Sequence, residues 1–211
     1  MPQFQGPWSF SKWSMFNKCP FMFKKYHIDK VKQEETPALA RGNLIHKMAE
    51  LYIKGQAPLT GEIRSMWRRL DGLRAVDAEA ESEWAFTDQW RLVGWEDPLA
   101  WLRLKIDAFV FREDRCTVID FKTGKKYPEH KDQLSLYATA IFQSYSQPQI
   151  VQAADWYFDG GKIEKMTFCR NTHSMNLDVW TNRANEIYNE RSFNPKKNWT
   201  CKYCPFKQEC S

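Results

Sequence analysis

The stretch WLRLKIDAFVFREDRCTVIDFK, residues 101–122, decides the fold because it reads as two consecutive β-strands joined by a tight turn. Apolar residues occupy every second position of the first strand: Leu102, Leu104, Ile106, Ala108 and Val110. This alternation predicts that these five side chains share one buried face and that Asp107 lies on the other. A turn through Glu113 and Asp114 would place Asp107 directly opposite Asp120.

Two facing aspartates on neighbouring strands predict a bound cation. Carboxylates that face each other across a ladder repel, so a divalent cation held between Asp107 and Asp120 is the interpretation that we favour. Lys122 shares the face of Asp120 and stands about 7 Å from it at ordinary strand rise. Two alternatives stay open. Both aspartates could be solvent-exposed strand ends, and a three-residue turn through Arg115 would shift the register by one residue.

Hydrophobic spacing predicts the elements around this hairpin. The expected helices lie at about 9–28, 37–54, 62–76, 129–146 and 176–191, with a strand at about 80–87 and a second hairpin at about 150–169. This order predicts one α/β domain over residues 1–211, with a central mixed β-sheet flanked by helices. Most of the ten tryptophans should be core residues, although a few could stack on nucleic-acid bases.

The cysteines predict a metal cluster that joins the two ends of the chain. Four of the six form the spacing C…C-x2-C-x5-C: Cys19, Cys201, Cys204 and Cys210. Four thiolates suit either a 4Fe–4S cluster or a structural zinc ion, while free or disulfide-paired cysteines are the alternative. The segment 193–211 is therefore interpreted as a cysteine-rich cluster segment. Cys116 and Cys169 fall in alternating apolar runs and are expected to be buried strand residues.

Basic residues are concentrated around the four cysteines, although the net charge is only +5. A cluster that joined the chain ends would bring this positive charge together on one surface, which could bind a phosphate backbone. The alternative is that these basic residues only form a solvent-exposed face without a binding role. The candidate contacts are Lys24, Lys25, Lys196, Lys197 and Lys202. The N-terminus has no basic segment followed by an apolar one, and no run is long enough to cross a membrane. We therefore expect a cytoplasmic protein of a bacterial, archaeal or phage-infected cell, with no membrane partner.

Five short motifs, in order along residues 9–210, resemble the RecB-like branch of the PD-(D/E)XK nuclease superfamily. Asp107 followed by the segment 120–122 (DFK) is similar to its metal-and-lysine core. The segment 42–46 (GNLIH) resembles its G-x-x-x-H element, and 133–137 (QLSLY) its Q-x-x-x-Y element. The segment 9–21 resembles its N-terminal part. The four-cysteine spacing is like that of the iron–sulfur nucleases in AddB-type helicase–nucleases and in CRISPR adaptation.

The resemblance implies a metal-dependent deoxyribonuclease. It implies that Mg²⁺ or Mn²⁺ is held by His46, Asp107, Asp120 and the backbone carbonyl of Phe121. Lys122 would position the attacking water or stabilise charge on the phosphate, and Gln133 and Tyr137 would organise Lys122 and the DNA strand. The resemblance also favours a 4Fe–4S cluster over zinc at the cysteines.

We therefore expect an exonuclease that acts at DNA ends, on single strands or end-containing duplexes, in recombination or repair. Because the sequence contains no G-x-x-x-x-G-K-[ST] motif, a helicase or recombination protein would be a separate partner. A non-catalytic iron–sulfur clamp that binds DNA and a zinc-stapled endonuclease remain alternatives. Three further carboxylates could support the metal site, and the sequence does not choose among them: Glu50, Glu81 and Glu83.

Overall fold

A single mixed sheet forms the centre of the computed structural model, which describes residues 3–210. Its strands are β1 (Glu79–Phe86), β2 (Leu92–Val93), β3 (Leu102–Arg112), β4 (Arg115–Lys122), β5 (Ile150–Tyr157) and β6 (Lys162–Cys169). They lie in the order β2-β1-β3-β4-β5-β6, and β4 and β5 run parallel whereas the other neighbours are antiparallel. The predicted α/β class with a central mixed sheet is confirmed.

Helices cover both faces of the sheet. They are α1 (Phe10–Lys18), α2 (Pro20–His27), α3 (Pro37–Ile53), α4 (Trp67–Ala75), α5 (His130–Ser144) and α6 (His173–Asn189). One core layer joins α1, α2, α5 and α6 to the sheet around the fully buried Trp180. The other joins α3 and α4 to the opposite face around the fully buried Ile45. No helix in the described part of the chain is long and apolar enough to cross a membrane.

The register of β3 and β4 follows the two-residue turn. Ala108 lies opposite Ile119, and the strands are joined through Glu113 and Asp114, so the predicted pairing is confirmed and the shifted register is wrong. Ladder pairing stops at Ala108 and Ile119, one step before the two aspartates. The strands therefore separate where Asp107 and Asp120 lie, which leaves room for side-chain chemistry between them.

The apolar alternation of β3 reverses at Asp107, which corrects our expectation of one continuous buried face. Ile106 packs in the layer of α5 and α6, together with Leu102 and Leu104, whereas Ala108 and Val110 pack in the layer of α3 and α4. The neighbouring strand β1 changes layers at the same level. There the backbone of a non-glycine residue, Glu81, adopts a left-handed conformation with φ of +53°. A local backbone distortion in β1 thus accompanies the reversal in β3.

Several predicted boundaries need correction. The helix expected at 9–28 is broken at Cys19, which is extended with φ of −161°, because Pro20 disfavours helical backbone in the residue before it. The helix expected at 62–76 begins as a 3-10 helix (Gly61–Met66), and α6 starts three residues earlier than expected. The short strand β2 was not predicted. Cys169 is exposed rather than buried, because it ends the edge strand β6.

The segment 193–211, interpreted above as the cysteine-rich cluster segment, contains two short 3-10 helices, Trp199–Tyr203 and Lys207–Glu209. Its last residue, Ser211, lies outside the described residues, as do Met1 and Pro2 of the expected domain.

Candidate active site

A cleft of about 1150 Å³ opens between α1 and α3, above the separating ends of β3 and β4 and the first turns of α5. All of the residues predicted to act in catalysis or metal binding line it: His46, Asp107, Asp120, Phe121, Lys122, Gln133 and Tyr137. Residues from α3, two strands and α5 converge here although they are far apart in the sequence. The fold therefore brings together the whole set that the motifs singled out.

Asp107 is held in place from two sides. It is 5% exposed, its Oδ1 lies 2.9 Å from Nδ1 of His46, and its Oδ2 accepts the backbone N–H of Phe121 at 2.6 Å. Burial and the nearby charge of Asp120 raise the pKa of Asp107 above its usual range. Burial disfavours a charged His46, but the hydrogen bond and charge of Asp107 outweigh it and raise the pKa of His46 to about 9.

Asp120 belongs to a closed ring of side chains. It is 2% exposed, and Tyr137 donates a hydrogen bond to its Oδ1 at 2.9 Å. Lys122 Nζ lies 2.5 Å from Asp120 Oδ2 and donates to Oε1 of Gln133 at 2.6 Å, while Gln133 donates to the Tyr137 hydroxyl at 2.8 Å. Gln133 and Tyr137 are one turn apart on α5, so they act from the same helix face. Burial lowers the pKa of Lys122, yet the charge of Asp120 raises it overall, which keeps the ammonium charged.

A salt bridge sets the position of the helix that carries His46. Arg41, also on α3, forms an ion pair with Asp159 in the turn between β5 and β6. Asp159 in turn accepts the backbone N–H of Gly124 at 2.6 Å, just beyond the end of β4. These contacts tie α3, the helix that carries His46, to the loop that follows β4.

The structure brings two further carboxylates to the site, one of the three that the sequence left open and one that sequence reasoning did not name. Glu81 is the half-buried residue with left-handed backbone, and its carboxylate lies within 4.8 Å of the ligand atoms of His46 and Asp107. Asp155 is 2% exposed beside Asp120 in the parallel pair of β4 and β5, and one of its oxygens lacks a hydrogen-bond partner. Burial and the charge of Asp120 raise the pKa of Asp155 to about 7. The sequence could not choose Glu81 over Glu50 and Glu83 and gave no signal for Asp155, since both roles depend on which strands become neighbours.

The residues present fit a hard divalent cation. Two buried carboxylates, Asp107 and Asp120, repel each other, and Asp120 Oδ2 has no partner with hydrogen-bond geometry although it is buried beside Lys122. Carboxylate oxygens are the ligands that Mg²⁺ and Mn²⁺ prefer, and an imidazole such as His46 favours Mn²⁺. A cation between these groups would compensate the negative charge that the fold has buried here.

We predict that Glu81→Gln weakens Mn²⁺ binding about tenfold or more, because a neutral amide replaces a carboxylate aimed at the ligand group. Isothermal titration of the metal-free protein with Mn²⁺ measures this directly, without DNA cleavage as the readout. Glu83→Gln is the matched control, since Glu83 lies on the same strand but is exposed and pairs with Lys105 at 2.7 Å. Unchanged affinity in Glu81→Gln, or equal losses in both variants, would contradict a ligand role for Glu81.

The four predicted cluster cysteines form no disulfide within residues 3–210, and their chain segments meet. Cys19 is 8% exposed at the junction of α1 and α2, while the other three lie half-buried in the C-terminal segment. Burial and the neighbouring thiols of Cys19, Cys201 and Cys204 raise the pKa of Cys210. The ends are further joined by Asn198, whose side-chain amide donates to the carbonyl of Lys18 at 2.9 Å.

The five candidate DNA-binding lysines lie near this junction, but three are already engaged in contacts. Lys24 pairs with Asp29, Lys25 pairs with Glu209, and Lys196 donates to the carbonyl of Asn17 at 2.9 Å. The contacts of Lys25 and Lys196 join the two chain ends, whereas the pair of Lys24 and Asp29 is local to the end of α2. The other two, Lys197 and Lys202, are exposed and form no ion pair within residues 3–210.

Comparisons with known proteins give a family and similar solved structures. The family model of the PD-(D/E)XK nuclease superfamily matches residues 7–211. The fold is similar to that of a candidate exonuclease from Eubacterium rectale, with a TM-score of 0.58 and 11% identity over 97% of this chain and 88% of that one. It is also similar to SSO0001, with a TM-score of 0.48 and 18% identity over 98% and 86% of the two chains. No protein with curated annotation matches significantly.

Proposed function

The chain belongs to the PD-(D/E)XK nuclease superfamily, and we propose that it is a Mg²⁺- or Mn²⁺-dependent deoxyribonuclease that degrades DNA from its ends. The observation that carries this proposal is the buried pair of Asp107 and Asp120 beside the charged Lys122, in a cleft open to a polymer. A buried pair of like charges is costly, so a fold that maintains it has a use for a cation at that place.

The residues of the site would have three different roles in the reaction. A metal ion supplies polarisation of a phosphate oxygen and a lowered pKa of bound water, and its ligands would be His46, Asp107, Asp120, the carbonyl of Phe121 and, as predicted above, Glu81. The ammonium of Lys122 lies at Asp120 Oδ2, so it can donate to an oxygen of the reacting phosphate or hold the attacking water there. Gln133 and Tyr137 restrain the lysine and the carboxylate, which keeps both in one geometry as substrate binds.

We place the chain in the RecB-like branch and assign a 4Fe–4S cluster to Cys19, Cys201, Cys204 and Cys210. The support is the match of their spacing to that branch, together with the hydrogen bond from Asn198 to the carbonyl of Lys18 and the effect of Cys19, Cys201 and Cys204 on the pKa of Cys210, which place the segments side by side. The cluster would act as a structural clamp, because the two segments lie far apart in the sequence.

An ion pair that closes one edge of the cleft supports action at DNA ends. Lys18, the last residue of α1, forms an ion pair with Glu129 at the start of α5, at 2.5 Å, and both residues line the cleft. The helix α1 is in turn tied to the C-terminal segment through the carbonyl of Lys18. A strand end can thread beside such a closed edge, whereas an internal phosphate of an intact duplex has no free terminus to thread. Lys197 and Lys202 would attract the strand, and a separate helicase could supply it.

The test is cleavage of end-labelled DNA by protein purified without oxygen. With Mn²⁺ present, we expect linear single-stranded or duplex DNA to be degraded and a covalently closed duplex circle to be spared, since the circle offers no end. The same circle after linearisation is the matched control, and EDTA should stop the reaction. Efficient cutting of the closed circle would instead indicate an endonuclease. Retention of DNA without hydrolysis in Mg²⁺ and Mn²⁺ would indicate a non-catalytic clamp.

A further inference from the structure

Two aromatic side chains project into solvent from the C-terminal segment. Most of the tryptophans are buried or half-buried, but Trp199 is 64% exposed, and Tyr203 is 73% exposed. Both belong to the 3-10 helix Trp199–Tyr203. Two large exposed aromatic groups on one short helix differ from the scattered single apolar residues that are normal on a protein surface.

Positive charge accompanies these rings. In a 3-10 helix, residues three apart lie on the same side, so Lys202 follows Trp199 on one side of the helix. The Lys202 ammonium also lies 4.8 Å from the centre of the Tyr203 ring. Lys197 is exposed two residues before Trp199. Aromatic faces with interspersed lysines are the combination that binds single-stranded nucleic acid, because the bases stack and the phosphates pair with the ammonium groups.

The short helix that carries both rings is attached to a residue that lines the cleft. Asn198 precedes the 3-10 helix and caps it, and its side chain is hydrogen-bonded to the carbonyl of Lys18. Lys18 itself lines the cleft that contains the metal-binding residues. A strand that runs from Trp199 past Lys18 would therefore lead into the candidate active site.

We propose that Trp199 and Tyr203 form a stacking platform for unpaired bases, so that the strand delivered to the cleft is single-stranded. This inference rests on the proposed nuclease function for its occupant. The neighbouring positive charge favours a polyanion over an apolar protein segment, and the flat rings favour bases over phosphates alone. An intact duplex keeps its base faces stacked on each other, so it cannot use these rings without opening.

The test compares binding of labelled oligonucleotides to full-length, cluster-loaded protein with Asp120→Asn as the parent, since that variant should bind without cutting. We expect Trp199→Ala and Tyr203→Ala each to weaken binding of single-stranded oligothymidylate about 5- to 150-fold, which corresponds to about 1–3 kcal/mol of stacking per base. Binding of an abasic strand of equal length and charge should stay unchanged, because it has no bases to stack. Trp199→Phe should retain most of the affinity. Trp67→Ala is the matched control, since Trp67 is 43% exposed on α4, in the other helical layer.

Unchanged oligothymidylate binding in both alanine variants would overturn the proposal and would leave a protein partner as the occupant of these rings. Equal weakening for the abasic strand would also overturn it, because the effect would then be electrostatic. Hydrolysis by the wild-type chain is scored separately. If the alanine variants bind oligothymidylate more weakly but the wild-type chain does not cleave DNA, the stacking platform stands and the nuclease function is refuted. If the wild-type chain cleaves DNA but the alanine variants bind normally, the nuclease function stands and the stacking platform is refuted.

Discussion

Asp120→Asn and Lys122→Ala should each reduce DNA hydrolysis by about 10³-fold or more, while DNA affinity stays within a few-fold of the wild type. Asparagine cannot supply the negative charge that a cation at the Asp107–Asp120 pair requires, and alanine removes the ammonium that lies 2.5 Å from Asp120. Affinity should be retained because contacts with the phosphate backbone provide most non-specific binding. Single-turnover cleavage at saturating DNA with Mn²⁺ measures the chemistry, and fluorescence anisotropy in EDTA measures the binding.

Two exposed positions provide controls of the same residue types: Asp178→Asn on α6 and Lys165→Ala on β6. Both should cleave at the wild-type rate. Thermal unfolding checks that each variant is folded at the assay temperature, because Asp120→Asn relieves the repulsion with Asp107 but also removes the ion-pair partner of the half-buried Lys122. Cleavage near the wild-type rate by either active-site variant would refute the assignment of these residues to catalysis.

The central hairpin could be predicted because its signals are local. Alternation of apolar residues marked the strands, and the two-residue turn at Glu113 and Asp114 determined the register that places Asp107 next to Asp120. The same rule failed where the backbone departs from a regular strand. The alternation of β3 reverses at Asp107, and the left-handed Glu81 on β1 accompanies that reversal. Such strain tends to occur at functional sites, which is why regular patterning could not reveal it.

Contacts between distant segments set the remaining limits of prediction. The motifs identified His46, Gln133 and Tyr137 because the family resemblance supplied positions that residue spacing alone could not. The structure shows that these residues converge. Asp155 was not predicted, because its strand β5 becomes the parallel neighbour of β4 only after the chain crosses over through α5. The exposure of Trp199 could not be predicted either, because tryptophan is usually buried and nothing in the sequence distinguishes this one from the other nine.

Cys19→Ala should remove the cluster as completely as Cys201→Ala. The two cysteines lie in the segments that a single cluster would join, and a cubane that loses one thiolate loses its hold on one of those segments. Protein purified without oxygen should be brown and contain about four iron atoms per chain. Both variants should be colourless and should unfold at a lower temperature than the wild type, since the attachment of α1 and α2 to the C-terminal segment would then rest on contacts such as those of Asn198 and Lys25.

Cys169→Ala and Cys116→Ala separate cluster loss from general effects of removing a thiol. Cys169 is exposed at the end of β6, so its variant should keep both iron and stability. Cys116 is fully buried in β4, so its variant should lose stability through a small cavity while keeping iron. A colourless wild-type protein with one zinc ion per chain would instead support the zinc alternative. Full iron content in Cys19→Ala would show that Cys19 is not a ligand, and the clamp would then have to be sought within the C-terminal segment alone.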